Sequence, residues 1–149
     1  MFDFAKICNQ VENLSPVERG ALIVSESATI VKKFEEISVT ALNPIDALAT
    51  FIIGAVMADG EIDEKEFLLI YPSLVRAFGD DFDFEKIKKT LNGKQGKTVL
   101  NEYVSALMTI ISTSDASLQA DIVTLCLLVV AIDNKINARE RRYIRQLCN

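Results

Sequence analysis

Apolar residues recur along this chain at helical spacing almost from end to end, and no alternating strand pattern persists. The pattern predicts a first helix from about Phe2 to Glu12. Next comes a start signal: Ser15 can cap, Pro16 suits the first helical position, and Glu18 closes a capping box. This second helix is expected to reach Ile37 or Thr40, with a weak point at Ser25–Ser27. Asn43 and Pro44 repeat the start logic ahead of a strongly apolar body that ends near Ala58. A fourth helix is expected after Asp63. It ends near Phe78, Gly79 stops it, and Asp83 opens the next. Residues 92–96 (NGKQG) read as a loop, Thr98–Ser112 as a helix, and residues 112–117 (STSDAS) as a polar break. Leu118–Ile132 is the most apolar helix and is assigned to the centre of the core. The last helix runs from about Asn137 to Cys148. Arg141, Arg142 and Arg145 lie toward its end, where the helix dipole favours positive charge.

One stretch occurs twice. Residues 58–70 (ADGEIDEKEFLLI) align with residues 132–144 (IDNKINARERRYI). Asp59 falls on Asp133, Gly60 on Asn134, Ile62 on Ile136, Asp63 on Asn137, Glu66 on Glu140 and Ile70 on Ile144. Each copy follows an apolar helix, so the pattern predicts an internally duplicated helix–turn–helix unit. Gly60 and Asn134 tolerate a left-handed backbone and can end the first helix. Ile62 and Ile136 are placed to tuck under the turn. Asp63 and Asn137 are N-caps, and Glu66 and Glu140 complete capping boxes, each cap contributing about 1 kcal/mol. The expected fold is all-α: one helical bundle over residues 1–149. It divides into N-terminal helices (1–42), a first repeat unit (43–78), connecting helices (79–114) and a second repeat unit (115–149). No linker composition breaks it.

The first turn is also densely acidic: Asp59, Glu61, Asp63, Glu64 and Glu66 lie close together and repel one another. Setting Gly60 on the glycine of an EF-hand loop puts Asp59 and Glu66 on ligand positions and Ile62 on the apolar one. Ala55 and Met57 then fall where two carboxylates belong, and the second copy supplies Val129 and Ala131 there. A calmodulin-like loop is therefore not expected. Two readings remain: a solvated, capped turn, which the residues favour, or a half-site completed by carboxylates from elsewhere. Oxygen ligands would suit calcium or magnesium.

Composition removes several function classes. The chain has 149 residues, half of them apolar, which fits one domain with a core and argues against disorder. A net charge of −5 and a pI near 4.8 disfavour nucleic acid and anionic membrane surfaces as partners. There is no histidine, which excludes Ser–His and Cys–His catalysis and His-ligated zinc. Cys8, Cys126 and Cys148 show no CxxC spacing and read as reduced, structural thiols. The N-terminus lacks signal-peptide features, and the longest apolar run, Ile122–Ile132, is too short to span a bilayer. Gly96-Lys97-Thr98 looks like the end of a P-loop, but Leu91 stands where its first glycine belongs and a helix precedes it. Lys86, Lys88, Lys89, Lys94 and Lys97, and the C-terminal arginines, lack interleaved aromatics and read as solvated faces.

The duplicated turns, "MADGEIDEKEF" and "AIDNKINARERRYI" with their preceding apolar helices, resemble the TerB-like family, named for a tellurite-resistance protein. The resemblance covers about Asn43 to Cys148. It implies an all-helical bundle with internal pseudo-symmetry in a cytoplasmic protein of bacterial type, linked to stress responses. It also implies a metal held by acidic residues at the turns, here Asp59, Glu66, Asp133 and Glu140. The second unit departs from the pattern, with Asn134 for glycine, Asn137 for an acid, and Lys135, Arg139, Arg141 and Arg142 around it. The leading expectation is a nonenzymatic TerB-like interaction or stress-sensing module. It would bind an unidentified protein partner and a divalent cation at the Asp59–Glu66 turn, without nucleic acid and without membrane insertion. The alternatives are a metal-free protein-binding scaffold and, remotely, a carboxylate-dependent hydrolase using Glu66.

Overall fold

The computed structural model describes residues 3–36, 43–57, 72, 74–76, 83–114, 116–131 and 136–148. Every regular element among the described residues is helical, and none is a strand. In chain order they are α1 (Phe4–Glu12), α2 (Pro16–Glu35), α3 (Pro44–Val56), α4 (Phe84–Asn92), α5 (Gly96–Thr113), α6 (Ala116–Val130) and α7 (Ala138–Arg145), closed by a 3-10 turn (Gln146–Cys148). Residues 72 and 74–76 are also helical, inside the span expected for the fourth predicted helix, and Leu74 is buried. The rest of that span, Phe67, Tyr71, Phe78 and Gly79 included, lies outside the described residues.

The expected caps set the helix starts. Ser15 accepts the Glu18 N–H while Glu18 accepts the Ser15 N–H, a complete capping box ahead of Pro16. Asn43 accepts the Ile45 N–H and Asp83 the Lys86 N–H. Asn137 and Glu140 form a second complete box. Helix α5 begins two residues before the expected Thr98, at Gly96, and Gln95 gives it no side-chain cap. A Cβ on Gly96 would overlap the Leu91 carbonyl, so only glycine lets α5 start this close to the end of α4.

The expected weak point at Ser25–Ser27 is absent. Helix α2 runs through it unbroken and stops at Glu35, with Glu36 as its C-cap. The serine and threonine hydroxyls that would favour a turn instead bond back along the helix: Ser25 to the Leu22 carbonyl and Thr29 to the Ser25 carbonyl. Burial supplies the rest. Arg19, Ile23, Ser27, Ile30 and Phe34 form a buried stripe at helical spacing, and α2 packs chiefly on α6.

Helix α6 is the centre of the bundle, as its composition predicts. Ile122, Val123 and every residue from Leu125 to Val130 are buried, and α6 touches α1, α2, α3, α5, α7 and the closing turn. Each of these aliphatic side chains contributes roughly 1.5–3 kcal/mol when fully buried. Helix α3, the other apolar helix, buries Ala47 through Ala55 and packs on α5 and α6. No described helix is long and apolar enough to cross a membrane.

Two polar clasps tie α1 into this frame. Arg19, 1 % exposed, donates to the Val11 and Glu12 carbonyls and so satisfies the C-terminal end of α1. The Glu12 carboxylate accepts from Arg141 at 2.7 Å and from the Ile136 N–H at 3.3 Å, while Arg141 also donates to the Ile136 carbonyl. Arg141 is thus spent on holding the approach to α7. Arg142 and Arg145 lie in the last turn, as the dipole argument expects.

Ser27 is the exception to this satisfaction of polar groups. Its hydroxyl is fully buried with no hydrogen-bond partner among the described residues. An unpartnered buried hydroxyl costs roughly 1–3 kcal/mol. Ser27→Ala is therefore expected to raise the urea midpoint without changing its slope, a gain of about 1 kcal/mol.

Candidate functional site

Of the four residues expected to hold a metal, Asp59, Glu66 and Asp133 lie outside the described residues. Glu140 is described and buried. One of its carboxylate oxygens accepts the Asn137 N–H at 3.0 Å, and its own N–H donates to the Asn137 side chain at 2.8 Å. The capping role is therefore filled. Ile136 is buried. Among the described residues, no group of three or more Cys, Asp or Glu side chains is placed to hold a metal ion.

The structure instead gathers residues that the sequence had scattered over two supposedly solvated faces. A cavity of about 580 Å³ opens where the end of α3, the α4–α5 turn and α7 meet. Lys97, Arg139 and Arg142 contribute its charge, and no carboxylate is among its described lining residues. All three cations are exposed and none forms an ion pair with a described residue. Gly96 and Lys97 are the first residues of α5, so the positive end of that helix dipole also lies in the wall. The apolar surface comes from Met57, Leu91, Leu100 and the Tyr143 ring.

Tyr143 joins the walls. Its ring stacks on Phe51 at 4.6 Å between centroids, and its hydroxyl donates to the Phe51 carbonyl at 3.0 Å. Burial pushes the phenol well above its ordinary range, so it stays protonated and donating. Gly54 makes the approach possible, because a Cβ there would overlap the Tyr143 hydroxyl. Gln146, also at the cavity, donates its side-chain amide to the Tyr143 carbonyl at 2.7 Å. Sequence reasoning passed over Tyr143 and Gly54. The only available signal was a glycine inside an otherwise unbroken apolar helix.

The thiols offer little chemistry. Cys8, Cys126 and Cys148 are all free. Burial raises each of them, Cys148 to about 11, which disfavours the thiolate. A second charged cluster bridges α2 and α6. Lys33 pairs with Asp121 at 2.7 Å and donates to Ser117 at 2.9 Å. Glu26 beside them is raised from an ordinary 4.5 to about 6, first by burial, then by the Asp121 charge and hydrogen bond, against a smaller opposing pull from Lys33.

No family model, no curated protein and no solved structure matches this chain. The TerB-like resemblance rests on the turn motif and its repeat alone. Only the second turn's cap, and the two apolar helices that precede the turns, lie within the described residues.

Two outcomes test this geometry. Gly54→Ala should destabilise the protein by roughly 1–3 kcal/mol by crowding the Tyr143 hydroxyl. In a Tyr143→Phe background, where the clashing oxygen is gone, part of that loss should disappear, as a double-mutant cycle in urea would show. The second outcome concerns pH. A carboxyl raised in the folded state binds its proton more tightly there than in the unfolded chain. Its stabilising contribution is therefore full below 4.5 and fades as pH rises through about 6. Glu26→Gln should flatten the fall in unfolding free energy across that window.

Proposed function

We propose that this chain is a nonenzymatic helical binding module whose ligand-facing site is the basic cavity between α3, α5 and α7. One observation carries the reading: Lys97, Arg139 and Arg142, from two separate helices, surround one cavity without a described counter-charge, on a chain whose net charge is −5. Three cations lining one cavity favour an anion there. Its volume falls within the roughly 300–1,000 Å³ range of small-ligand sites. A noncatalytic role is supported by the missing histidine and by thiols that burial keeps protonated. The TerB-like resemblance fits a sensing or interaction role for such a module. The divalent-cation reading at Asp59, Glu66 and Asp133 belongs to the same module and is separated by the same measurement.

The test follows backbone amide signals while pyrophosphate, calcium and magnesium are added in turn. Pyrophosphate is expected to shift Gly96–Thr98 and Arg139–Arg142 saturably. Arg139→Glu with Arg142→Glu should weaken that binding at least about tenfold, the equivalent of one lost charge-assisted contact. Calcium or magnesium shifts centred on Asp59–Glu66, lost in Asp59→Asn, with none from pyrophosphate, would replace the anion site by the cation site.

A further inference from the structure

Charge is only half of what the cavity offers. Two of its neutral polar groups already donate inward: the Tyr143 hydroxyl to the Phe51 carbonyl, and the Gln146 amide to the Tyr143 carbonyl. One face of the Tyr143 ring is taken by Phe51. Beyond the donors of the three cations, a sugar or a nucleobase would find little polar surface and would set its polar groups against an apolar wall. Aliphatic surface from Met57, Leu91 and Leu100 remains, beside cations at the rim and a helix N-terminus in the wall. Charge at one side and hydrocarbon at the other select a ligand built the same way.

Resting on the anion-binding reading, we propose that the cavity binds a small amphiphilic anion: a single phosphate or carboxylate head joined to a short, unbranched hydrocarbon body. The head meets Lys97, Arg139 and Arg142. The body lies on Leu91, Leu100 and the Tyr143 ring. Lys97 and the two arginines recognise the head by charge and, for the arginines, by paired N–H donors. The body adds affinity in proportion to the apolar area it removes from water. A free molecule fits better than a lipid still in its bilayer. The cavity must take up the hydrocarbon itself, and the acidic chain as a whole is repelled by an anionic surface.

Isothermal titration of the full chain with ethyl, butyl and hexyl phosphate, all below micelle formation, tests the proposal. Affinity should rise about threefold to fourfold for each added CH₂, the increment for about 0.8 kcal/mol of burial. Arg139→Glu with Arg142→Glu should weaken every member of the series. Leu100→Ser, checked for folding by circular dichroism, should reduce the gain with chain length. The wild-type series decides the matter even if that variant fails to fold. Equal affinity for ethyl and hexyl phosphate would overturn the amphiphile while leaving the anion module standing. Hexyl phosphate binding that ignores the arginine reversals would overturn the site. No binding by any member, pyrophosphate included, would overturn both readings. Binding to phosphatidic acid vesicles without binding to the soluble series would move the ligand to a membrane surface and overturn the proposal.

Discussion

The C-terminal half of helix α6 presents no side to water. From Leu125 to Val130 every residue is buried, so the helix must be surrounded rather than merely covered. This requirement organises the chain. Helix α2 lays a five-residue buried stripe along α6 and thereby outlasts its own serine-rich middle. Helices α1, α3 and α7 and the closing turn take the remaining sides. The energies decide the outcome. A few buried aliphatic side chains at roughly 1.5–3 kcal/mol each outweigh the helix propensity deficit of Ser25 and Ser27, a few tenths of a kcal/mol apiece.

Wrapping one helix on all sides leaves the chain's ends to be fixed by polar contacts. Glu12 joins α1 to Ile136 and Arg141, residues more than a hundred positions away, using both carboxylate oxygens. Buried Arg19 covers the last carbonyls of α1. Such an arrangement is worth more as register than as energy, because ion pairs that remain partly wet contribute only about 0.2–1 kcal/mol. It does fix the orientation of α7. That orientation brings Arg139, Arg142 and Tyr143 to the end of α3, and the cavity follows from it.

Local chemistry was legible in the sequence and pairing in space was not. Ser15, Asn43, Asp83 and Asn137 announce helix starts through their own side chains, and all four cap as expected. The centrality of α6 follows from composition alone. By contrast, nothing within a short window tells Arg141 apart from Arg142. One is consumed by Glu12 and the other stands at the cavity. Lys97 belongs by sequence to a lysine-rich stretch with Lys86, Lys88 and Lys89. Helix α5 starts against Leu91 at Gly96, and Lys97 there lines the cavity with Arg139 and Arg142 of α7. The P-loop look of Gly96-Lys97-Thr98 had no strand to support it, yet its glycine and lysine do open a helix at the candidate site. Of the expected duplicated unit, α3, α6, α7 and the Asn137–Glu140 cap lie within the described residues, and the first turn lies outside them.

The balance between local and global charge narrows what such a site can take. At physiological salt, exposed charges are screened over about 8 Å, so the chain's net charge of −5 acts on a large ligand more than on a small one. A polyanion would extend beyond Lys97, Arg139 and Arg142, where the chain's net charge of −5 opposes it. A compact head is held entirely within reach of the three cations. The hydrogen bonds that Tyr143 and Gln146 already donate leave hydrocarbon as the main neutral surface for a ligand to match.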